Sequence, residues 1–335
     1  MYKTVVVIPN WNGESSLEDC IKSLLSQTEK SHIIVVDNGS IDGSLNILKQ
    51  YDQIEVIENS ENRGYAGGVN QGFKRAIELR ADYVAPFNND AIADKKWLWE
   101  LTECMGGNRQ LGIVTSKILD RGGKSIDSTG DYYTVWGLPY PRGRGEPDIN
   151  KYDDTGEVFG ASGGASLYRV SMLEEIGLFD EAFFAYYEDV DLSFRAQLSG
   201  WKVRYTPKAI VYHQIGATSG KIKGFTTYQT IKNLPLLFVK NVPGKYIFKV
   251  GWRFTLSQCL FFISAVFRGH AWVAIKGSLA SVYYLPGALR KRRIIQKNKN
   301  VSDQYIWSVI IHDLPPNALS LRKARSYWWR IRGLG

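Results

Sequence analysis

Two short, wholly apolar runs constrain this chain more than any other feature: Val5-Val6-Val7-Ile8 and Ile33-Ile34-Val35-Val36. Four β-branched residues in succession leave no polar face, the pattern of a parallel strand buried on both sides. Each run breaks into a polar, glycine-containing word, Pro9-Asn10-Trp11-Asn12-Gly13 after the first and Asp37-Asn38-Gly39-Ser40 after the second. Leu17, Cys20, Ile21, Leu24 and Leu25 then recur at helical spacing, with Ser15 or Ser16 available as N-cap. A short helix through Tyr51, a strand over 54–57, a glycine-led helix over 64–80 and a strand over 82–87 continue the alternation. Such alternation predicts an α/β fold with a doubly wound, mostly parallel sheet and right-handed crossovers.

In sheets of this kind ligands collect just outside the carboxyl ends of the strands, and the polar residues fall there. Asp37 follows the second strand and could accept hydrogen bonds from a ribose hydroxyl or a base N–H. The glycine-rich segment 64–72 opens a helix, whose N–H groups and dipole suit an anion. Asn88-Asn89-Asp90 ends the fourth strand, where a carboxylate could hold a hard divalent cation and, through it, a diphosphate. The competing reading is turn chemistry, with Asn88 to Asp90 capping a helix over 91–105. No GxGxxG follows the first strand, which argues against a nicotinamide or flavin enzyme.

Between 108 and 157 the periodicity weakens into short strands and a long loop. Residues 159–169, rich in Gly, Ala and Ser, read as a strand open to close approach, followed by a helix over 171–176. Glu188, Asp189 and Asp191 crowd the start of a helix over 192–198, behind Tyr186 and Tyr187. A favourable helix dipole accounts for some of that acidity, yet three carboxylates exceed the need of a cap. Strands are expected at 201–205 and 209–212, with His213 ending the second.

Charge divides the chain. Residues 226–335 carry 18 Lys and Arg against Asp303 and Asp313 alone, leaving 24 Lys and Arg against 31 Asp and Glu in residues 1–225. A basic, aromatic tail of this kind meets nucleic acid or an anionic membrane surface. No nucleic-acid recognition motif accompanies it, so the membrane is the expected partner. The uncharged run 254–267 falls short of the roughly 20 residues a span needs and is expected to lie in the headgroup layer; a core helix is the alternative. The segment 327–332, Tyr-Trp-Trp-Arg-Ile-Arg, is a further interfacial candidate. The three dispersed cysteines support neither a disulfide framework nor a zinc site, and the N-terminus lacks a signal-peptide pattern. The expected division is a catalytic domain at 1–225, with a nucleotide half near 1–107 and an acceptor half near 108–225, then a helical, amphipathic region at 226–335.

Seven words appear in order over residues 4–219: VVVIPNWNG, VVDNGSIDGS, ENRGYAGGVNQGF, FNND, GASGGASLYR, GLFDEAFFAYYEDVDLSFRAQLSGW and VYHQIGATS. Together they resemble the inverting family 2 glycosyltransferases of the GT-A fold, and most of all the bacterial rhamnosyltransferases acting on lipid-linked glycans of the cell surface. The resemblance implies that Pro9, Asn10, Asn12, Asp37, Asn62, Gly64, Ala66, Gly67, Asn70, Asn88 and Asn89 line the nucleotide sugar. FNND resembles the family's DxD element, making Asp90 a ligand of Mg²⁺ or Mn²⁺, although Asn88 brings no charge to its first place. His213 resembles the second protein ligand. Asp189 matches the catalytic base, with Glu188 and Asp191 positioning it or the acceptor. The implied partners are a nucleoside diphosphate sugar, dTDP-rhamnose before others, and a polyprenyl-diphosphate-linked acceptor, on the cytoplasmic face of the membrane. Rival readings are a nucleotidyltransferase, which lacks its glycine-rich basic loop here, and a processive synthase, whose QxxRW word is misspaced at Gln197 to Trp201. A third is a non-catalytic membrane adaptor.

Overall fold

The computed structural model describes residues 3–149, 151–214 and 222–316. In chain order these form β1 (Thr4–Asn10), α1 (Glu14–Leu25), β2 (His32–Asp37), α2 (Ser44–Leu48), β3 (Glu55–Glu58), α3 (Gly64–Glu78), β4 (Tyr83–Pro86), β5 (Ala91–Ala93) and α4 (Trp97–Gly106). There follow β6 (Leu111–Asp120), β7 (Ile126–Ser128), β8 (Asp131–Tyr133), β9 (Pro139–Pro141), β10 (Gly156–Glu157), β11 (Ser166–Arg169), α5 (Val170–Ile176), α6 (Glu188–Ser199) and β12 (Lys202–His213). Four helices close the described chain: α7 (Phe225–Asn241), α8 (Ile247–Phe267), α9 (Ala271–Lys297) and α10 (Asp303–Val309).

The main sheet runs β10-β12-β6-β11-β4-β1-β2-β3, with β5 beside β12 and β7 beside β6. The strands β4, β1, β2 and β3 are parallel, as the apolar runs predict, while β11 lies antiparallel between β4 and β6. Side chains alternate across a strand, and this explains why the first two strands carry no polar face. Val6, Ile8, Ile33 and Val35 meet Leu17, Cys20 and Ile21 of α1. Val5, Val7, Ile34 and Val36 meet Val69, Phe73 and Ala76 of α3 on the other side.

Several local expectations are corrected. The helix expected over 91–105 starts only at Trp97, because Ala91–Ala93 finds ladder partners on β12 with Ala91 opposite His213. The weakly periodic region contains the ten-residue strand β6, whose Thr115, Ser116 and Lys117 hide its burial in the sequence. The strand expected over 159–169 is confined to Ser166–Arg169. The two strands expected around His213 are one, with a register shift between Tyr205 and Ile210. Glu14 opens α1 with Gly13 as N-cap, so neither Ser15 nor Ser16 serves.

Residues beyond 225 pack on the preceding part of the chain rather than apart from it. Phe183, Val190, Phe194 and Leu198 share one core with Leu234, Leu237, Phe238, Val250 and Phe254 of α7 and α8. The outer faces of α8 and α9 remain apolar and open, with Phe248 89% and Phe267 87% exposed and Trp252, Trp272, Leu279 and Val282 also uncovered. The uncharged run understated this helix. Residues Gly244–Phe267 form 24 helical residues that are long and apolar enough to cross a membrane, 22% buried over their most apolar stretch. The interfacial segment expected at 327–332 lies outside the described residues.

Candidate active site

The site is assembled where β4 gives out. Phe87 N–H still bonds Val7 O at 2.8 Å, and Asn88 N–H bonds Gly164 O at 2.9 Å. The chain then turns into β5, and the β5–β12 pairing brings His213 beside Asp90, with Nε2 3.0 Å from Asp90 Oδ1. The other ring nitrogen, Nδ1, lies 2.8 Å from Asp127 Oδ2 on β7, and Asp127 Oδ1 pairs with Arg144. Asn88 Nδ2 lies 3.2 Å from His213 Nε2.

Burial opposes charge on His213, but the hydrogen bonds and charges of Asp127 and Asp90 outweigh it and push the imidazole up to about 9. Burial likewise opposes ionisation of Asp127, and the His213 hydrogen bond and Arg144 charge hold it below the usual carboxylate range. A metal-ligating histidine commonly gives its other ring N–H to a carboxylate, which aims the free nitrogen. Asp127 stands in that relation to His213. Asp90 and His213 thus offer one carboxylate oxygen and one imidazole nitrogen, a donor set whose chemistry suits a divalent cation. Among the described residues no group of three or more acidic, His or Cys side chains is arranged to hold a metal ion by itself.

Asp189 lies in the first turn of α6, its Oδ2 accepting Gly163 N–H at 2.7 Å and its Oδ1 accepting Val190 N–H at 2.8 Å. Two consecutive glycines connect it with the β4 end. A Cβ on Gly163 would lie 3.1 Å from Asp189 Cβ, and one on Gly164 would lie 2.8 Å from Asn88 Nδ2. Asp189 and Asn88 thus flank one bare stretch of backbone. Tyr65 O–H donates to Gly163 O at 2.7 Å, and its phenol is pushed up by burial and then by the charges of Glu188, Asp189 and Asp90. Burial raises the Asp189 carboxyl against the two backbone N–H groups that favour its ionised form. Nearby Asp131 is pushed up to about 8, by burial and then by Asp189.

At the carboxyl ends of β1 and β2 Asp37 is buried and accepts from Asn10 Nδ2 at 2.9 Å, Ser40 Oγ at 2.6 Å and Ser40 N–H at 2.9 Å. Asn89 Nδ2 donates to Asn10 Oδ1 at 2.7 Å, joining the ends of β1, β2 and β4. Pro9 sits within β1 opposite Val36, and Asn12, at φ 51°, accepts from Ile41 N–H. Asn62 Oδ1 accepts Gly64 N–H at 2.8 Å at the start of α3. Gly64, at φ +73°, admits no Cβ against Phe184 O, 2.4 Å away. Ala66 N–H bonds that same carbonyl at 3.0 Å, and Gly67 is buried one residue on.

Two expected residues are engaged within the protein, and a third is buried without being so. Asn70 donates to Phe179 O and Glu181 Oε1 and accepts Phe179 N–H, tying α3 to the loop before α6. Asp191 points to Arg195 Nε at 3.0 Å, Lys240 Nζ at 2.8 Å and Asn241 Nδ2 at 2.8 Å. Glu188 is buried beside Asp189, its Oε2 without a hydrogen-bond partner and its carboxyl pushed well up, by burial first. Asp127, Asp131 and Arg144 escaped the sequence reading. Their signal is Ile126-Asp-Ser-Thr-Gly-Asp131, two carboxylates four residues apart in a region of weak periodicity.

The sheet order and the paired sites at its rim define a GT-A fold. The Pyrobaculum calidifontis mannosyltransferase PcManGT, solved with GDP-Man and Mn²⁺, shares it with TM-score 0.53, 14% identity, and coverage of 92% of this chain and 86% of its own. The chain belongs to glycosyl transferase family 2, whose model matches residues 5–177; a model for glycosyl transferase family group 2 matches 142–285. The Staphylococcus aureus poly-β-1,6-N-acetyl-D-glucosamine synthase is 27% identical over 218 residues, 63% of this chain. The Mycobacterium tuberculosis N-acetylglucosaminyl-diphospho-decaprenol L-rhamnosyltransferase is 28% identical over 240 residues, 64% of this chain and 77% of its own length. The chain spans about half, 49%, of the length of the synthases it matches.

Proposed function

We propose that this chain is a metal-dependent, inverting, non-processive glycosyltransferase. It moves one sugar, rhamnose before others, from a nucleoside diphosphate sugar to a hydroxyl of a polyprenyl-diphosphate-linked glycan. The observation that carries the reading is the Asp90–His213 pair, braced by Asp127 and joined through Asn88 to Gly164, with Asp189 against the adjoining Gly163.

Asp90 and His213 would hold Mg²⁺ or Mn²⁺, which when bound neutralises charge on the departing diphosphate. Asp189 takes the proton of the acceptor hydroxyl as its oxygen bonds C1, while the bond from C1 to the diphosphate oxygen breaks on the opposite face. The anomeric configuration inverts. Burial strengthens Asp189 as a base, and the N–H groups of Gly163 and Val190 fix its carboxylate. Asn10, Asp37 and Asn89 form the donor-side rim, and Asp37 suits a ribose or a base N–H.

The M. tuberculosis relative, by its name, supports a lipid-linked acceptor and rhamnose. The uncovered faces of α8 and α9, next to the exposed Arg290 and Arg293, support a place at the cytoplasmic surface of the membrane. A processive synthase is the second reading, favoured by the S. aureus match. Against it, Gln197 gives its amide to Val158 O and Phe159 O and accepts from Tyr305 O–H, so it is committed within the fold.

The test is to incubate the protein with Mn²⁺, dTDP-rhamnose or UDP-N-acetylglucosamine, and an N-acetylglucosaminyl-diphospho-polyprenol. Addition of a single inverted sugar is expected. Long polymers would favour the second reading, and no transfer from any nucleotide sugar would sink both.

A further inference from the structure

The loop that leads into Asp189 is the most unusual backbone among the described residues. Phe184, Tyr186 and Tyr187 have φ of 64°, 68° and 73°, three of the five described non-glycine residues with positive φ. Side chains oppose such angles, and a run of this kind persists only where its surroundings over-determine it. Those surroundings come from two directions. Phe184 O accepts Ala66 N–H, from the start of α3. Every other carbonyl from Ala182 to Tyr186 is taken by two adjacent residues of α7.

Lys232 Nζ donates to Ala182 O at 3.1 Å and Phe183 O at 3.2 Å. Asn233 Nδ2 lies within 2.9–3.0 Å of Phe183 O, Ala185 O and Tyr186 O, so its two hydrogens serve three carbonyls. Both side chains are buried, Lys232 at 4% exposure and Asn233 at 0%. Burying an ammonium is costly unless hydrogen bonds compensate it, and here the compensation comes from the loop's carbonyls. Asn233 Oδ1 has no hydrogen-bond partner, so the amide makes its bonds to the loop and none back to its own helix. The loop is also anchored from below, where Lys240 Nζ lies 2.6 Å from Asp180 Oδ2 and 2.8 Å from Asp191 Oδ1.

We propose that Lys232 and Asn233 are positioning residues for glycosyl transfer. They fix the carbonyls of Ala182 to Tyr186, and thereby the angle at which α6 presents Asp189 to the acceptor hydroxyl. Helix α7 is then part of the catalytic unit, although it supplies no group that touches substrate. The inference rests on the transferase reading above and assigns a role to a region in which the sequence shows no catalytic word. It also connects the site to the open apolar surface, since α7 packs along α9.

The test uses the full chain carrying Asn233→Ala or, separately, Lys232→Met, with the donor and acceptor on which the wild-type protein is active. A shift of about one ångström in a reacting group costs on the order of 100-fold in rate. The expected result is a fall in kcat of that order, with the affinity for dTDP plus Mn²⁺ and the circular dichroism spectrum unchanged. Wild-type kcat in either folded variant would overturn the inference while leaving the transferase reading intact. Loss of nucleotide affinity and folded signal in step with kcat in both variants would also overturn it, because the residues would then be merely structural. A wild-type protein that transfers no sugar would overturn both readings together.

Discussion

Asp127 Oδ2 lies 2.8 Å from His213 Nδ1, and the imidazole it holds presents Nε2 to Asp90 3.0 Å away. Asp127 thus orients a ring whose other nitrogen is the one proposed to bind the cation. Removing such a partner typically costs about 10–100-fold in metal affinity. Asp127→Ala is therefore expected to weaken Mn²⁺ binding in the presence of dTDP by that factor. Calorimetry measures it, and an unchanged Kd would remove Asp127 from the metal site's support.

The same imidazole links metal binding to pH. Its folded pKa is pushed up to about 9, so at neutral pH the ring is protonated on both nitrogens. A ligating histidine must be neutral, so the cation displaces a proton on binding. Mn²⁺ affinity is expected to strengthen as pH rises and to level off above about 9, with up to one proton released per cation. Calorimetry in buffers of different ionisation enthalpy counts that proton. A pH-independent affinity would contradict the assignment of His213 as ligand.

Asp189→Asn keeps the side chain's size and an oxygen for Gly163 N–H while removing the proposed base. General-base catalysis contributes on the order of 10²–10⁴-fold. A loss of transfer kcat in that range is expected, with the affinity for dTDP plus Mn²⁺ unchanged. Near-wild-type transfer by the folded variant would move the base elsewhere.

Asp180 connects acid stability to the tail. Burial alone would raise its carboxyl, but Lys240 and then Lys291 hold it well below the usual carboxylate range. A depressed folded pKa stabilises the fold above the unfolded value of about 3.9, and the contribution is lost as pH falls through the folded value. Asp180→Asn is expected to lower stability near neutral pH by about 1.5–3 kcal/mol, the range for hydrogen bonds to charged groups. The deficit shrinks as the medium becomes strongly acidic. Urea unfolding across pH measures it, and a deficit that grows toward low pH would reverse the sign argued here.

Phe248 and Leu279 lie on the open faces of α8 and α9 and take no part in the shared core. Glutamate at both positions is expected to abolish flotation with anionic vesicles while leaving the melting temperature unchanged. The full chain is the proper subject, because cutting at 225 would strip partners from Phe183, Val190 and Phe194. Vesicle binding that survives both substitutions would place the membrane contact elsewhere.

Much of this protein was legible in its residues. The apolar runs at Val5–Ile8 and Ile33–Val36 imply strands covered on both faces, and the polar words that end them mark the rim where Asp37 and Asp90 sit. Those signals are local, because a strand's alternation and a helix's repeat are written over a few neighbouring positions. Whatever depends on which strand lies beside which is not written there. The pairing of β5 with β12 turned an expected helix into the strand that sets His213 against Asp90. It is also tertiary packing that turned Asp191 toward Lys240 and brought Asp127 behind the imidazole. The same packing set Asn233 against the carbonyls that lead to Asp189. Such contacts join residues far apart in the chain, and their geometry follows from sheet order and helix packing, which no short window of residues carries.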